Sequence, residues 1–256
     1  MIAVVVCRED TASVNIGRAL MERGSWQPYG DGLRCGDLLL YHIDDMHLYH
    51  DGIDGELSGH AEQLDAVVFA SRHRSRSGRK TLSVHPIGNY RGADYGGRDE
   101  TLVSAAPERM HSALQGLYDG AAVLDYDVCY EVTHHGPFLS TPTFFIEAGS
   151  TEREWRDMEA CRVIADALRS LNKERVVTAI GLGGGHYAPR FTDLALDDDV
   201  AFGHMIPDYQ LPHIDAGMVQ AAVDASPGAT MAFLHGEKGE RFRPVLEDNG
   251  LDVVSV

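Results

Sequence analysis

The chain has little lysine, few cysteines and no long apolar run. Lysine occurs only at Lys80, Lys173 and Lys238 among 256 residues. The four cysteines are scattered without a CxxC pair, which argues against a disulfide framework. A run of about 18 apolar residues, the length that a membrane helix needs, is missing. The amino-terminal residues are typical of a first strand rather than of a signal peptide. We therefore predict a cytoplasmic protein.

The charge that is present is mostly negative. Aspartate and glutamate number 39, and the net charge is −17. Such an acidic, lysine-poor chain predicts adaptation to high salt, because self-repulsion is tolerable where the Debye length is only about 3 Å. An ordinary acidic surface is the alternative, but it does not explain the lysine deficit. The net charge disfavours nucleic-acid binding in general without excluding a local basic patch.

Strand and helix patterns alternate along the chain. Residues 2–6 predict a buried strand, and cap residues from Asp10 then open a helix that ends near Gly24. A capping box at residues 151–154 precedes a strongly periodic helix over 155–168. Further strands are predicted at 37–43, 65–70, 81–84, 126–133, 143–147, 175–180, 230–234, 242–246 and 251–256. The pattern predicts an α/β fold, with one mixed, mostly parallel sheet flanked by helices in a single domain over residues 1–256.

One strand end carries a compact set of reactive side chains. The strand-like run 126–133 stops at His134, His135, Gly136 and Pro137. Strand alternation puts Glu131 on the same face as residue 133. A carboxylate and two imidazoles can transfer protons or bind a metal ion. The same pattern is also typical of polar strand-end residues without chemistry, because one histidine pair is a weak metal signal.

Histidines follow other predicted strands as well. His85, His186 and His204 each stand beside glycine or proline at a strand end. In open α/β sheets, ligands bind outside the carboxyl ends of the strands. If these strands are parallel neighbours, their histidines line one crevice. The glycine-rich turn at 181–190 fits neither a Walker loop nor a dinucleotide fingerprint, so we do not predict a nucleotide cofactor.

Positive charge is concentrated in one stretch, residues 71–80, which we call the basic segment. It follows a strand, contains serine and glycine, and holds Arg72, Arg74, Arg76, Arg79 and Lys80. Guanidinium groups make paired contacts with phosphate oxygens, so the segment predicts phosphate binding. A solvated loop is the usual alternative for a run of charge. We favour binding because the sign of the segment opposes that of the whole chain.

Several motifs together resemble the archaeal and plant type of D-aminoacyl-tRNA deacylase. The motifs are Glu-Val-Thr-His-His-Gly-Pro at 131–137, Thr-Phe-Phe-Ile-Glu-Ala-Gly-Ser-Thr at 143–151 with Glu154 and Trp155, and Gly-His-Tyr-Ala-Pro-Arg-Phe-Thr at 185–192. Shorter matches lie at 71–73, 85–89 and 201–204. They occur in the family's order from about residue 71 to 209. Together they are specific, although each alone is weak.

The resemblance implies a monomeric, zinc-dependent α/β enzyme. Its reaction would be hydrolysis of the ester between a D-amino acid and the terminal ribose of tRNA, which releases the free D-amino acid. The resemblance also implies functional roles for six residues, namely His134, His135, His186, Tyr187, Arg190 and His204. It does not assign each of them to metal or to substrate.

We predict individual roles from the chemistry of the side chains. His134, His186 and His204 are the predicted zinc ligands, and Glu131 is the base or an orienting group, with His134, His135 and His186 also in the catalytic set. Tyr187 or Phe144 is predicted to stack on the terminal adenine. The full predicted tRNA-binding set is Arg72, His73, Arg74, Arg76, Arg79, Lys80, His85, Asn89, Phe144, Tyr187 and Arg190.

Alternatives to this chemistry remain at the level of sequence. The ribose hydroxyl next to the ester could assist hydrolysis without a protein-bound metal. A zinc-dependent amidase or peptidase acting on small molecules would use the same histidines and glutamate, but the basic segment would then have no purpose. An RNA-binding module without catalysis would not need histidines at strand ends. Hydrolysis of aminoacyl-tRNA separates these hypotheses.

Overall fold

The computed structural model describes residues 1–59, 64–172 and 176–256. Its strands are β1 (Ile2–Cys7), β2 (Gln27–Tyr29), β3 (Gly32–Cys35), β4 (Leu38–Ile43), β5 (Ala66–Arg72), β6 (Thr81–His85), β7 (Gly88–Asn89), β8 (Thr101–Leu102), β9 (Asp127–Tyr130), β10 (Thr143–Gly149), β11 (Val177–Gly183), β12 (Val200–Ile206), β13 (Ala229–His235) and β14 (Asp252–Ser255). Its α-helices are α1 (Thr11–Met21), α2 (Ile53–Leu57), α3 (Pro107–Gly120), α4 (Glu152–Trp155), α5 (Met158–Arg169), α6 (Pro189–Asp198), α7 (Ala216–Asp224) and α8 (Arg243–Asp248).

A large sheet has the order β2-β3-β4-β1-β5-β10-β6-β9. Its centre, β4-β1-β5-β10, is parallel. Strands β6 and β9 are parallel to each other, but β6 runs antiparallel to β10, with His85 opposite Phe145. The α/β class with mostly parallel pairing is confirmed. His85 ends β6 and His134 follows β9, so these two histidines come from parallel neighbours as the sequence suggested, whereas His73 follows β5, which runs the other way.

A second, smaller sheet has the order β12-β11-β13-β14 and is parallel throughout. Where the sequence predicted one sheet, the strands divide between two. Helix α3 contacts both β6 and β12, so it packs against both sheets. One apolar cluster nevertheless draws on both sheets, including Phe144 from the large one and Phe202 from the small one.

Strand alternation decides which side chains of β10 face the site. Phe144 and Ile146 point into the apolar cluster beneath α1, α3 and α5, whereas Phe145 packs in a second cluster on the opposite face. Glu147 shares the face of Phe145 because successive side chains of a strand point to opposite sides. The functional side of the large sheet is therefore the face that holds Phe145 and Glu147.

Two sequence predictions needed correction. The capping box is present, with Thr151 and Glu154 bonded to each other's backbone, but the helix behind it breaks into α4 and α5. Asp157 starts α5 anew by accepting hydrogen bonds from two backbone amides. Residues 243–246 lie in α8 and Phe242 ends the 3-10 turn before it, because Pro244 suits a first helical turn and would remove a strand hydrogen bond.

Other elements agree with the sequence. The strand predicted at 251–256 is confirmed as the edge strand β14. The strand predicted at 175–180 is confirmed as β11 from Val177 onward, while residue 175 and Lys173 lie outside the described residues. In the part of the chain that is described, every helix is too short or too polar to cross a membrane.

Candidate active site

Side chains from three adjacent strands converge on one face of the large sheet. Glu147 comes from β10, Ser83 stands opposite it on β6, and His73 follows β5. His85 ends β6 beside Phe145 and is fully buried. Alternation along these strands directs all four side chains to the face that Phe145 and Glu147 share. The large sheet thus builds a polar floor from residues that are far apart in sequence.

The small sheet contributes the opposite wall. After β9, the backbone amide of Val132 donates to the carbonyl oxygen of His186, with an N–O distance of 3.0 Å. The next amide, of Thr133, donates to the carbonyl of Met205 at 3.1 Å. These two bonds join the segment after β9 to the end of the small sheet. As a result, His186 lies over Glu131 and the site forms between the two sheets.

Glu131 is the centre of this arrangement and has no exposed surface. Its Oε1 accepts a hydrogen bond from Ser83 Oγ and lies 3.1 Å from His73 Nδ1. Its Oε2 lies 2.9 Å from His186 Nε2 and 3.7 Å from His134 Nε2. We call Glu131, Glu147, His73, His134 and His186 the carboxylate–histidine cluster. Strand β9 ends at Tyr130, so Glu131 stands just past the strand rather than within it.

The protonation states within the cluster differ from those in water. Burial alone would raise the pKa of Glu131, but hydrogen bonds from His186 and His73 hold that pKa well below its usual range. Burial alone would lower the pKa of His73, yet Glu131 and Glu147 outweigh it and raise the pKa to about 11. His73 is therefore an imidazolium between two carboxylates at neutral pH. Its Nε2 donates to the Tyr187 hydroxyl at 3.0 Å.

His134 and His135 are in the opposite state. Burial and the charge of His85 lower the pKa of His134 well below its ordinary value and the pKa of His135 to about 4. Each neutral ring donates from Nδ1 to a backbone carbonyl at 2.7 Å, of Val132 and Gly136 respectively. That bond selects the tautomer, so the lone pair of each ring is on Nε2. Both residues therefore present a lone pair that can bind a metal or accept a hydrogen bond, although their lowered pKa makes them weak bases.

Two non-glycine residues beside the cluster have positive φ. His135 has a φ of 45° and Ala188, which follows Tyr187, has a φ of 38°. Such conformations cost on the order of 1–3 kcal/mol and persist where surrounding contacts impose them. Both occur in segments that carry a cluster residue, so the strain coincides with the proposed chemistry.

Two cavities open on the histidines. The larger, of about 620 Å³, is lined by every member of the cluster except Glu131, and by Met46, Leu48, Tyr49, Ser71, Arg72, Arg74, Tyr95 and His135. The smaller, of about 300 Å³, is lined by Gly88, Asn89, Tyr90, Arg91, Gly92, Asp94, Tyr95, Thr133, His134, His135, His186, Tyr209 and Gln210. His134, His135, His186 and Tyr95 line both. They form the wall where the two cavities meet.

The donor set fits zinc. Two groups, His85 with His134 and His135, and His73 with Glu131 and His186, each have ligand atoms within 4.8 Å of one another. Zinc binds imidazole nitrogen and carboxylate oxygen, and the neutral rings of His134 and His135 already present lone pairs. His73 would first have to lose a proton, which its raised pKa opposes.

A family model described as D-aminoacyl-tRNA deacylase matches residues 60–254. The chain belongs to the D-aminoacyl-tRNA deacylase family. A relative of that name from Methanosarcina mazei is 36% identical, with 99% of this chain and 91% of the relative aligned. One from Thermococcus kodakarensis is 35% identical, with 99% of each aligned. One from Natronomonas pharaonis is 36% identical, and all of this chain covers 60% of it.

A solved structure supports the same fold for this deacylase-family chain. A crystal structure described as a conserved protein of unknown function superposes with a TM-score of 0.91. It is 31% identical and aligns with 100% of this chain and 95% of its own. The match therefore extends beyond the family region to the first sixty residues, where the sequence motifs were weakest.

Two residues that we predicted from the deacylase motifs lie elsewhere. His204 is buried away from the cluster, where its Nε2 donates to the Val103 carbonyl at 3.0 Å and its Nδ1 accepts from Thr133 Oγ1 at 3.0 Å. Both ring nitrogens are used, so the prediction of His204 as a zinc ligand is wrong. Phe144 is fully buried on the helix-covered face of β10, which rules out stacking on adenine.

The predicted tRNA-binding residues fall into separate groups. Arg79 and Lys80 are already paired with Asp127 and Asp125, each at 2.8 Å. The Arg72 guanidinium lies 5.2 Å from the Trp155 ring, whereas Arg74 and Arg76 are exposed.

The remaining predicted residues are spread over the surroundings of the cluster. The side-chain amide of Asn89 donates hydrogen bonds to the carbonyl oxygens of Gly96 and Arg98, so Asn89 stabilises the loop that contains them. Arg190 lies exposed on α6 and lines neither cavity. Tyr187 contacts the cluster through His73, and His85 stacks on His134 with ring centroids 4.1 Å apart. These placements leave Tyr187 and His85 next to the cluster.

Sequence reasoning missed Glu147 as a site residue. It is buried, its Oε2 lies 3.5 Å from His73 Nδ1, and its pKa is lowered. Burial would raise that pKa, but hydrogen bonds from His73 and His85 prevail. The signal was present, since Glu147 is the only charge in the apolar run 143–149. A lone acid in a buried strand needs a partner, and so it indicates a site.

Proposed function

We propose that this chain hydrolyses the ester bond of D-aminoacyl-tRNA and releases the free D-amino acid and tRNA. One observation carries the proposal. A chain of the D-aminoacyl-tRNA deacylase family holds a buried, ionised Glu131 within reach of three histidines, where two cavities meet. The product would be a deacylated tRNA that is ready for correct charging.

Ester hydrolysis needs an activated water and stabilisation of the developing oxyanion. Glu131 has a lowered pKa, which makes it a weak base and suits it to orienting histidines. The pKa of His134 is lowered as well, so its neutral ring, with Nε2 3.7 Å from Glu131 Oε2, is suited to accepting a hydrogen bond from water or to binding a metal. The imidazolium of His73 adds positive charge at the larger cavity, and it is hydrogen-bonded to the Tyr187 hydroxyl.

We also propose zinc as the cofactor. The groups that would hold it are His85 with His134 and His135, and His186 with Glu131 and His73, whereas His204 belongs to neither. When bound, zinc would polarise the ester carbonyl and lower the pKa of a water to about 7. The protein residues would still fix the ring orientations through the backbone bonds of His134 and His135.

The basic segment is the proposed contact for tRNA phosphates. Arg74 and Arg76 are exposed and have no ion-pair partner among the described residues. Phosphate contacts weaken steeply with salt, so a chain with a net charge of −17 must gain much of its affinity from shape and stacking. We further propose a cytoplasmic monomer adapted to high salt, as its acid excess and lysine deficit suggest.

The test is release of tyrosine from matched D- and L-tyrosyl-tRNA in molar KCl, with and without a chelator. We expect cleavage of the D-ester only, lost on chelation and restored by zinc. D-selective cleavage that is indifferent to prolonged chelation would retain the function and remove zinc. Cleavage of neither ester by the folded protein would overturn the function, and would direct attention to small-molecule amides.

A further inference from the structure

Two cavities share one wall, and the proposed substrate has two parts joined by one bond. Tyr95, His134, His135 and His186 line both cavities, which otherwise differ in their lining. The ester bond must lie at the reactive histidines, so the groups on its two sides have to leave in different directions. We propose that the larger cavity holds the terminal adenosine and the smaller one holds the D-aminoacyl group. This inference rests on the proposed function.

Charge assigns the larger cavity to the nucleotide. Arg72 and Arg74 belong to the basic segment, and both line this cavity and not the smaller one. A nucleotide carries a phosphate that guanidinium groups bind. The smaller cavity has one cation, Arg91, together with an exposed carboxylate, Asp94. Only the larger cavity therefore has an excess of exposed positive charge at its mouth.

Aromatic surface supports the same assignment. Tyr49 is 59% exposed and, of the two cavities, lines only the larger, whereas Tyr95 is 66% exposed and lines both. Aromatic rings that are this exposed have apolar faces in contact with water, and a stacked base would bury them. Stacking on tyrosine is the usual way in which unpaired bases are bound, and it resists salt. We therefore assign Tyr49 to the terminal adenine, with Tyr95 on the wall that the two cavities share; the sequence had given the stacking role to Tyr187 or Phe144.

The backbone holds these two tyrosines at the cavity. The amide of Gly136 donates to the Tyr95 carbonyl at 3.1 Å, so Tyr95 is attached to the segment that carries His134 and His135. Gly96, with a φ of 77°, packs against the Leu48 carbonyl, which a Cβ at that position would meet at 1.6 Å. That contact brings the 3-10 turn His47–Tyr49 against the loop of Tyr95. The tyrosine rings are exposed, while their backbones are fixed.

The smaller cavity suits an amino acid. Its volume of about 300 Å³ is half that of its neighbour, and Tyr209 adds an aromatic wall. Asp94 supplies the one exposed carboxylate among its lining residues. The α-amino group of an aminoacyl ester is largely protonated at neutral pH, so a carboxylate is its natural partner. Modifying that amine would remove the interaction with Asp94.

The test uses Tyr49→Leu and Asp94→Asn on chemically charged substrates that differ at one end only. One pair carries D-tyrosine on tRNA ending in adenosine or in a ribose without a base. The other pair carries D-tyrosine with a free or an N-acetylated amine. We expect Tyr49→Leu to lower kcat/KM about 5- to 100-fold only where the base is present. Asp94→Asn should lower kcat/KM about two- to fivefold only where the amine is free.

Two further variants control the comparison. Tyr49→Phe keeps the ring and should recover most of the base-dependent kcat/KM that Tyr49→Leu loses. Tyr118 is 56% exposed but lines a different cavity. The ratio of Tyr118→Leu to wild-type kcat/KM should therefore be the same with and without the terminal base. Base dependence in Asp94→Asn and amine dependence in Tyr49→Leu would reverse the assignment and overturn it. So would wild-type kinetics in both variants. A wild-type protein that cleaves no D-tyrosyl-tRNA would overturn the proposed function itself.

Discussion

The carboxylate–histidine cluster and the basic segment place charge at the same cavity in opposite ways. In the cluster, Glu131 is fully buried and its pKa is far from the ordinary value. In the basic segment, Arg74 and Arg76 are exposed, where salt screens them. The difference separates chemistry from binding. Buried charges keep their interactions in strong salt, whereas exposed ones lose most of theirs, so a salt-adapted enzyme can protect its catalysis more easily than its affinity for tRNA.

The largest expected effect comes from the centre of the cluster. Glu131→Gln removes the charge that orients His134 and His186 and that neutralises His73. We expect single-turnover cleavage of D-tyrosyl-tRNA to fall by about 10²–10⁴-fold, equally in low and in molar salt. Glu154→Gln is the matched control, because Glu154 is also buried but belongs to the capping box. Near-wild-type cleavage by Glu131→Gln would remove Glu131 from the mechanism.

The exposed region should respond to salt where the cluster does not. Reversing both charges with Arg74→Glu and Arg76→Glu is expected to raise KM about tenfold at low salt, with kcat retained. The slope of log KM against log salt concentration should decrease by about one to two, which corresponds to one to two fewer released counterions. The defect should therefore be smaller in molar KCl. Arg18→Glu, an exposed reversal on α1, controls for net charge. An unchanged KM would refute the role of the segment.

A buried histidine outside the cluster tests whether burial alone shifts protonation. Burial lowers the pKa of His204 to about 4, so between pH 6.5 and 4 the unfolded chain binds a proton that the folded chain does not. Stability from this group is present above pH 6.5 and declines as pH falls, by up to about 1.4 kcal/mol per pH unit. Urea unfolding of wild type and His204→Asn from pH 7.5 to 4.5 should show a shallower decline in the variant. Parallel curves would contradict the shift.

The smallest effect is expected within the basic segment itself. The Lys80 ammonium lies 2.8 Å from Asp125 Oδ2, so its charge is partly neutralised. Lys80→Met should therefore change KM for D-tyrosyl-tRNA by less than about twofold at any salt. A tenfold increase would show that Lys80 exchanges Asp125 for phosphate when tRNA binds. The result would then extend the binding surface towards β9.

Local patterns predicted much of the site. The run that ends at His134 and His135 and the position of Glu131 were readable because glycine and proline mark the end of a strand. The roles of His204 and Phe144 were mispredicted for a different reason. The local sequence of a histidine at the end of an apolar run is the same whether its ring faces the cavity or, like that of His204, bonds to the backbone of Val103. Which face of β10 is buried under helices depends on the helices, and not on β10.

The sequence by itself determined the acidic surface, the order of strands and helices, and the presence of a carboxylate beside two histidines. These properties depend on composition and on the repeat of apolar residues, every two positions in a strand and about every four in a helix. Both can be read from residues that are close together in the chain. Only the tertiary structure decided that β6 runs against β10, that the strands form two sheets, and that His186 reaches Glu131. Those contacts join segments far apart in the chain, so they form only when packing brings distant backbone hydrogen bonds and buried charges together.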